Sequence, residues 1–226
     1  MEYTVHRLLS LRKSTVARIL NIIGDSNFID TVQGKSKKIN GVPVIDIENQ
    51  IKSAYDKVLG LISNYAKIKS ALLNTNAGID SDTPVKRFTV AGKIYTMAEL
   101  IDASDNIYGN KKHPIAFKAE LLKKLKSQYA AAQNKVQARA AKVEQDIQEY
   151  LVKAAGADKQ MSAEDIAKRS AMLHEDGDLH LVDPLDLKNV IEKLSSDIET
   201  FRQECDATMT EQNALTKVNI DLTNID

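Results

Sequence analysis

The chain has 226 residues, 43% apolar and 27% charged, with 31 basic and 31 acidic side chains and a formal net charge of zero. No apolar run reaches the roughly 18 residues of a membrane span, no apolar signal region is expected at the N-terminus, and a lone cysteine, Cys205, excludes an intramolecular disulfide framework and suits a reducing cytoplasm. Aromatics at 5% with no tryptophan suit narrow helix–helix seams rather than a broad sheet, and a neutral sum argues against nucleic acid, which wants an unneutralised basic stripe.

Residues 4–23 read as an amphipathic helix capped by Thr4, with Val5, Leu8, Leu9, Val16, Ile19, Leu20 and Ile23 on one face and Gly24 as its stop. Two short β-branched runs follow, Phe28–Gln33 and Ile39–Ile45, around the turn Gly34-Lys-Ser-Lys-Lys38. They read as a hairpin or mobile arm over 24–46, with Pro43 confining the second run to an edge. A long helix is expected from Ile47 to Leu73 with Asp46 as N-cap. Ile51, Tyr55, Val58, Ile62, Tyr65 and Leu72 repeat in a heptad-like register that Lys69 interrupts.

Val85–Val90 and Lys93–Tyr95 around Ala91-Gly92 form the clearest hairpin. Thr96-Met-Ala-Glu99 has the spacing of a capping box and opens a helix over 97–108. After Pro114 comes the longest pattern, Ile115 to Ala155, free of glycine and proline, with apolar or small residues every three or four positions from Leu122 to Ala154. Such a helix spans about 60 Å and needs partner helices along it. Its alanines at 130–132 and 138–141 are expected to let a neighbour approach closely.

Ser162-Ala-Glu-Asp165 caps a short helix to about Leu173, Glu175–Asp178 is a loop, and Leu179–Val182 is a short strand. Asp183-Pro184 reads as N-cap and N1 of a last helix. Its register is Leu187, Ile191, Leu194, Ile198, Phe201, Cys205 and Thr208. Val218, Ile220 and Leu222 alternate with polar residues as a closing strand.

The expected fold is therefore mainly α: an elongated antiparallel helical bundle, coiled-coil-like, of three long helices with small β-hairpins or a sheet at one end. The whole of 1–226 is expected to form a single elongated domain, with a small β-element from 84–96 plus 216–223. Charge is uneven along it. Residues 1–45 hold seven bases and three acids, 46–99 seven and six, 100–155 ten and six, and 156–226 seven and sixteen. Either the acidic C-terminal third packs beside more basic segments, or the molecule meets a charged partner.

Asn74-Thr-Asn-Ala77 ending a helix, the hairpin with Thr96-Met-Ala-Glu-Leu100, Val182-Asp-Pro-Leu-Asp186, and Asn213-Ala-Leu-Thr216 closing the last helix resemble the septicolysin-like family of bacterial helical-hairpin proteins. They also resemble uncharacterised proteins of tailed bacteriophages. The likeness covers about two thirds of the chain as an order of elements; the 28–45 insertion departs from it. It implies a helical fold and a non-enzymatic role, and it carries over no catalytic or ligand residue.

The candidate sites are basic turns: Lys35, Lys37 and Lys38; Lys86 and Arg87; Lys111 and Lys112. Each is a solvated turn or a contact for a small anionic ligand. Gly34-Lys-Ser36 lacks the first glycine and the strand-to-helix context of a phosphate-binding loop. His174, Glu175, Asp176, Asp178, His180 and Asp183 lack calcium-loop spacing and a second zinc pair, so no metal is expected. Cys205 reads as a buried, inert thiol. No cofactor and no catalytic residue are expected, and the tight seams leave little room for a pocket.

The functional expectation is a non-enzymatic structural or interaction protein, phage-encoded, in the virion or the host cytoplasm. Its partners would be protein, as a homo-oligomer or with virion proteins, with no membrane. The alternative is a phage counter-defence protein that binds a small anionic ligand of nucleotide type, or a host protein.

Overall fold

The computed structural model describes residues 3–79, 85–108, 113–155 and 162–216. Among these the chain is mainly helical, with small antiparallel sheets. In order it runs α1 (Val5–Asp25), β1 (Asp30–Gln33), β2 (Lys38–Ile39), β3 (Val42–Pro43), α2 (Val44–Asn76), β4 (Arg87–Val90), β5 (Lys93–Thr96), α3 (Met97–Tyr108), α4 (Pro114–Ala155), α5 (Ala163–Gly177), β6 (Leu179–Val182) and α6 (Leu187–Leu215). The chain divides into two compact units. The first takes Met1–Leu20, Gly60–Glu120 and Lys193–Asp226; the second takes Asn21–Leu59 and Leu121–Glu192.

In the first unit the helical register becomes the core. Ile62, Tyr65 and Leu72 of α2, Leu100 and Ala103 of α3, Ile115 and Phe117 of α4, and Leu194, Ile198, Phe201 and Cys205 of α6 are all buried. Tyr65 meets Phe117 edge to face at 5.1 Å, and Tyr95 meets Phe201 at 5.8 Å, geometries that suit aromatic quadrupoles. Lys69 does not break the register. It stays inside it, 7% exposed, because Asp102 of α3 lies 2.6 Å from its ammonium and pairs the charge. The capping box forms as spelled: Thr96 Oγ1 accepts from Glu99 N–H at 3.3 Å, and Glu99 Oε2 accepts from Thr96 N–H at 2.7 Å. The β4–β5 pair is antiparallel, Arg87 opposite Thr96 and Val90 opposite Lys93. Ala91 and Gly92 turn it with φ of 47° and 71°, the left-handed pair that matches strand twist.

In the second unit the segment expected as a hairpin or mobile arm over 24–46 makes two separate pairings. β1 pairs with β6, Asp30 opposite Val182 and Gln33 opposite Leu179. β2 and β3 make a two-residue hairpin of their own over Asn40-Gly41, with φ of 49° and 84°. The reason lies in Gly34. Its φ is +53°, its N–H donates to Asp178 O at 2.7 Å, and a Cβ there would stand 2.7 Å from Glu175 O. Only glycine lets the chain come this close to the end of α5, and that approach commits β1 to β6. Phe28 and Ile29, just before β1, are buried, and Gln128 of α4 accepts from Phe28 N–H at 2.9 Å.

Several boundaries move. α2 starts at Val44, before Asp46, because β3 leads directly into it. α5 runs to Gly177 rather than Leu173. α6 starts at Leu187 rather than beside Pro184: Asp183–Asp186 form a turn, and both Asp183 carboxylate oxygens accept from Leu187 N–H, at 3.1 and 2.9 Å. On α1, Ile19 and Ile23 are buried, but Val5, Leu9 and Leu20 are exposed, so the apolar stripe is wider than the seam it enters. On α4 only Ala132 of the alanine runs is buried; Ala130, Ala131, Ala140 and Ala141 are exposed. The close approach occurs instead at Gly177, whose carbonyl accepts from Arg139 Nε at 2.7 Å. The expected strand at 216–223 lies outside the described residues apart from Thr216.

Candidate functional site

The seams are not closed everywhere. In the first unit a cleft of about 560 Å³ opens among α2, α3, the first turn of α4, α6 and the β4–β5 turn. Local sequence rules deliver its walls. Lys69, Ser70 and Leu73 are one turn of α2; Glu99 and Asp102 are one turn of α3; Asp197, Thr200, Phe201 and Glu204 share a face of α6.

Its inner polar groups are engaged within the protein. Ser70 Oγ donates to Glu99 Oε1, and Glu99 closes the capping box. Lys69 is paired with Asp102. His113, 7% exposed, precedes α4 and caps it: Ile115 N–H donates to its Nδ1 at 3.3 Å, and Phe117 N–H to its carbonyl at 3.1 Å. Burial, with the neighbouring Lys69 charge adding to it, holds His113 at about 3, so the ring stays neutral. With Nδ1 accepting, the proton sits on Nε2. Burial also pushes the Tyr95 hydroxyl up to about 12, helped by Glu99.

The outer groups are different. Lys93 at the start of β5 and Lys118 in α4 both line the cleft. Among the described residues neither ammonium closes an ion pair or hydrogen bond. Burial lowers the Lys118 pKa first, repulsion from Lys93 lowers it further, and Asp197 opposes both. Two cations thus face one space beside the N-terminus of a 42-residue helix, whose dipole end is itself positive.

The basic turns singled out in the sequence are distributed differently. Lys86 donates to Gln212 Oε1 at 2.7 Å and lies over the Phe88 ring; Arg87 is exposed on β4. Neither lines this cleft. Lys111 and Lys112 lie outside the described residues. In the second unit Lys35 and Lys38 line a hollow of about 570 Å³ around Ser36 and Asn40, while Lys37 does not. Lys35 there is ion-paired with Glu175. Sequence reasoning missed Lys93 and Lys118 because neither sits in a basic run. The available signal was periodicity: Lys118 falls one turn into a helix whose neighbours Ile115 and Phe117 are apolar.

Several side chains of the acidic stretch 174–183 make contacts within the fold. His174 Nδ1 lies 3.1 Å from Asp178 Oδ2, Glu175 holds Lys35, and Asp183 caps α6. Among the described residues no group of three or more His, Cys, Asp or Glu is placed to hold a metal, and no helix is long and apolar enough to cross a membrane. Cys205 is fully buried, its Sγ 3.9 Å from Leu100 O, and burial raises its thiol pKa. No protein-family model, curated protein or solved structure matches the chain.

Proposed function

We propose that this is a non-enzymatic binding protein whose cleft in the first unit captures a small anionic ligand. The observation that carries the reading is the pair Lys93 and Lys118, two cations that close no direct ion pair among the described residues and line one partly apolar cleft. An anion between them would relieve their repulsion, and lysine serves phosphate as a compact point charge. The non-enzymatic part rests on how the polar groups are committed: Ser70 to Glu99, Lys69 to Asp102, and His113 to the start of α4. Together with the septicolysin-like and phage resemblance, this favours a phage-encoded counter-defence protein acting in the host cytoplasm.

The test is calorimetric titration with inorganic phosphate and pyrophosphate. Wild type is expected to bind pyrophosphate the tighter, and Lys118→Met, which keeps the aliphatic stem, to weaken it about tenfold or more, as loss of a charge-assisted contact does. Heat-silent titrations with no thermal stabilisation by either anion would remove the reading.

A second reading is favoured by α1. Val5, Leu9 and Leu20 are 43%, 42% and 41% exposed, a strip at helical spacing beside the face that enters the core. It supports an elongated antiparallel bundle of three long helices acting as a virion structural or assembly component, bound to copies of itself or to other virion proteins.

A further inference from the structure

The cleft carries more than its two cations. Along α6, Asp197, Thr200 and Glu204 face the same space, spaced three and four residues apart, so they form a row of roughly 10 Å. Among the described residues Asp197 is in no ion pair or hydrogen bond through its side chain. Glu204 uses Oε2 to accept from Ala91 N–H at 2.6 Å and has its second oxygen beside it. A row of hydrogen-bonding oxygens on one wall of a cleft that also holds two ammonium groups calls for a ligand with several O–H donors and one anionic end. A single positive charge on the ligand would engage one carboxylate and leave the rest of the row unused. Ile94 and Tyr95 add apolar surface to the same cleft, which suits the C–H face of a sugar ring.

We infer that the ligand is a phosphorylated sugar, with its phosphate at Lys93 and Lys118 and its hydroxyls donating to Asp197 and Glu204. The inference rests on the anion-binding reading above and narrows it. Free sugar phosphates and the ribose phosphate of a nucleotide share this chemistry.

The experiment titrates the full chain with inorganic phosphate, ribose 5-phosphate, adenosine 5′-monophosphate and phosphoethanolamine. Ribose 5-phosphate is expected to bind at least about tenfold tighter than phosphate, the value of one or more hydrogen bonds to a charged acceptor. Asp197→Asn, an exposed and isosteric change, is expected to reduce that ratio. Adenosine 5′-monophosphate binding better than ribose 5-phosphate would assign the sugar to a nucleotide; the reverse would assign a free sugar phosphate. Equal affinity for phosphate and ribose 5-phosphate, a ratio indifferent to Asp197→Asn, or phosphoethanolamine as the tightest ligand would overturn the sugar assignment and leave anion capture standing. No binding of any of the four would overturn both.

Discussion

His113 shows how a single residue sets a condition on the fold. Its imidazole is buried and neutral, with a folded-state pKa of about 3 against an ordinary 6.5. Between those values the unfolded chain takes up a proton that the native chain refuses. Stability is therefore fully present above pH 6.5 and falls as the solution is acidified toward 3. His113→Asn keeps an acceptor near the Ile115 N–H and removes the titration. Urea midpoints of the variant should decline less steeply than wild type between pH 6.5 and 4; parallel slopes would show that His113 is not the group responsible. Lys69 makes the complementary point. A lysine at a core position of α2 is tolerated because a carboxylate stands 2.6 Å away and pairs its buried charge.

At the scale of elements, glycines decide what pairs with what. Gly34 and Gly41 both have positive φ, +53° and +84°, but their surroundings differ. A Cβ on Gly41 meets nothing within 4 Å, whereas on Gly34 it meets Glu175 O at 2.7 Å. Gly41→Ala should cost only the left-handed backbone term, about 1–2 kcal/mol. Gly34→Ala adds a backbone clash at the β1–α5–β6 junction and should cost roughly 1–3 kcal/mol more. Chemical denaturation of the two variants measures the difference directly, and equal losses would mean the junction yields freely. The same contrast explains the strand pairing. Asn40-Gly41 is the strongest two-residue hairpin signal available, and it closes β2 on β3, leaving β1 to find β6 some 150 residues away in sequence.

For the whole molecule, the exposed apolar residues of α1 bear on association. The helix carries Arg7, Arg12, Lys13 and Arg18 against the single acid Asp25, while residues 156–226 hold sixteen acids to seven bases. Two α1 helices would repel one another; α1 against an acidic surface would attract. If the assembly reading holds, sedimentation should show a discrete oligomer at low ionic strength that dissociates in high salt, where such contacts are screened, and Leu9→Asp should abolish it. A monomer under all conditions removes that reading and leaves the cleft as the functional feature.

What the sequence determined by itself was whatever depends on near neighbours. The seven-residue register of α2 and α6, the capping box at Thr96–Glu99, the β4–β5 hairpin and the burial of Cys205 all follow from side chains a turn or a strand apart, and the structure contains each of them. Tertiary structure alone decided the pairing of β1 with β6, the burial of Lys69 against Asp102, and the meeting of Lys93, Lys118 and Asp197. Those three come from β5, α4 and α6, distant in the chain, and no local period encodes that they share a cleft. The physical reason is one of range: propensity, capping and hydrophobic period act over a few residues, whereas a binding site is made where separate helices fail to close on one another.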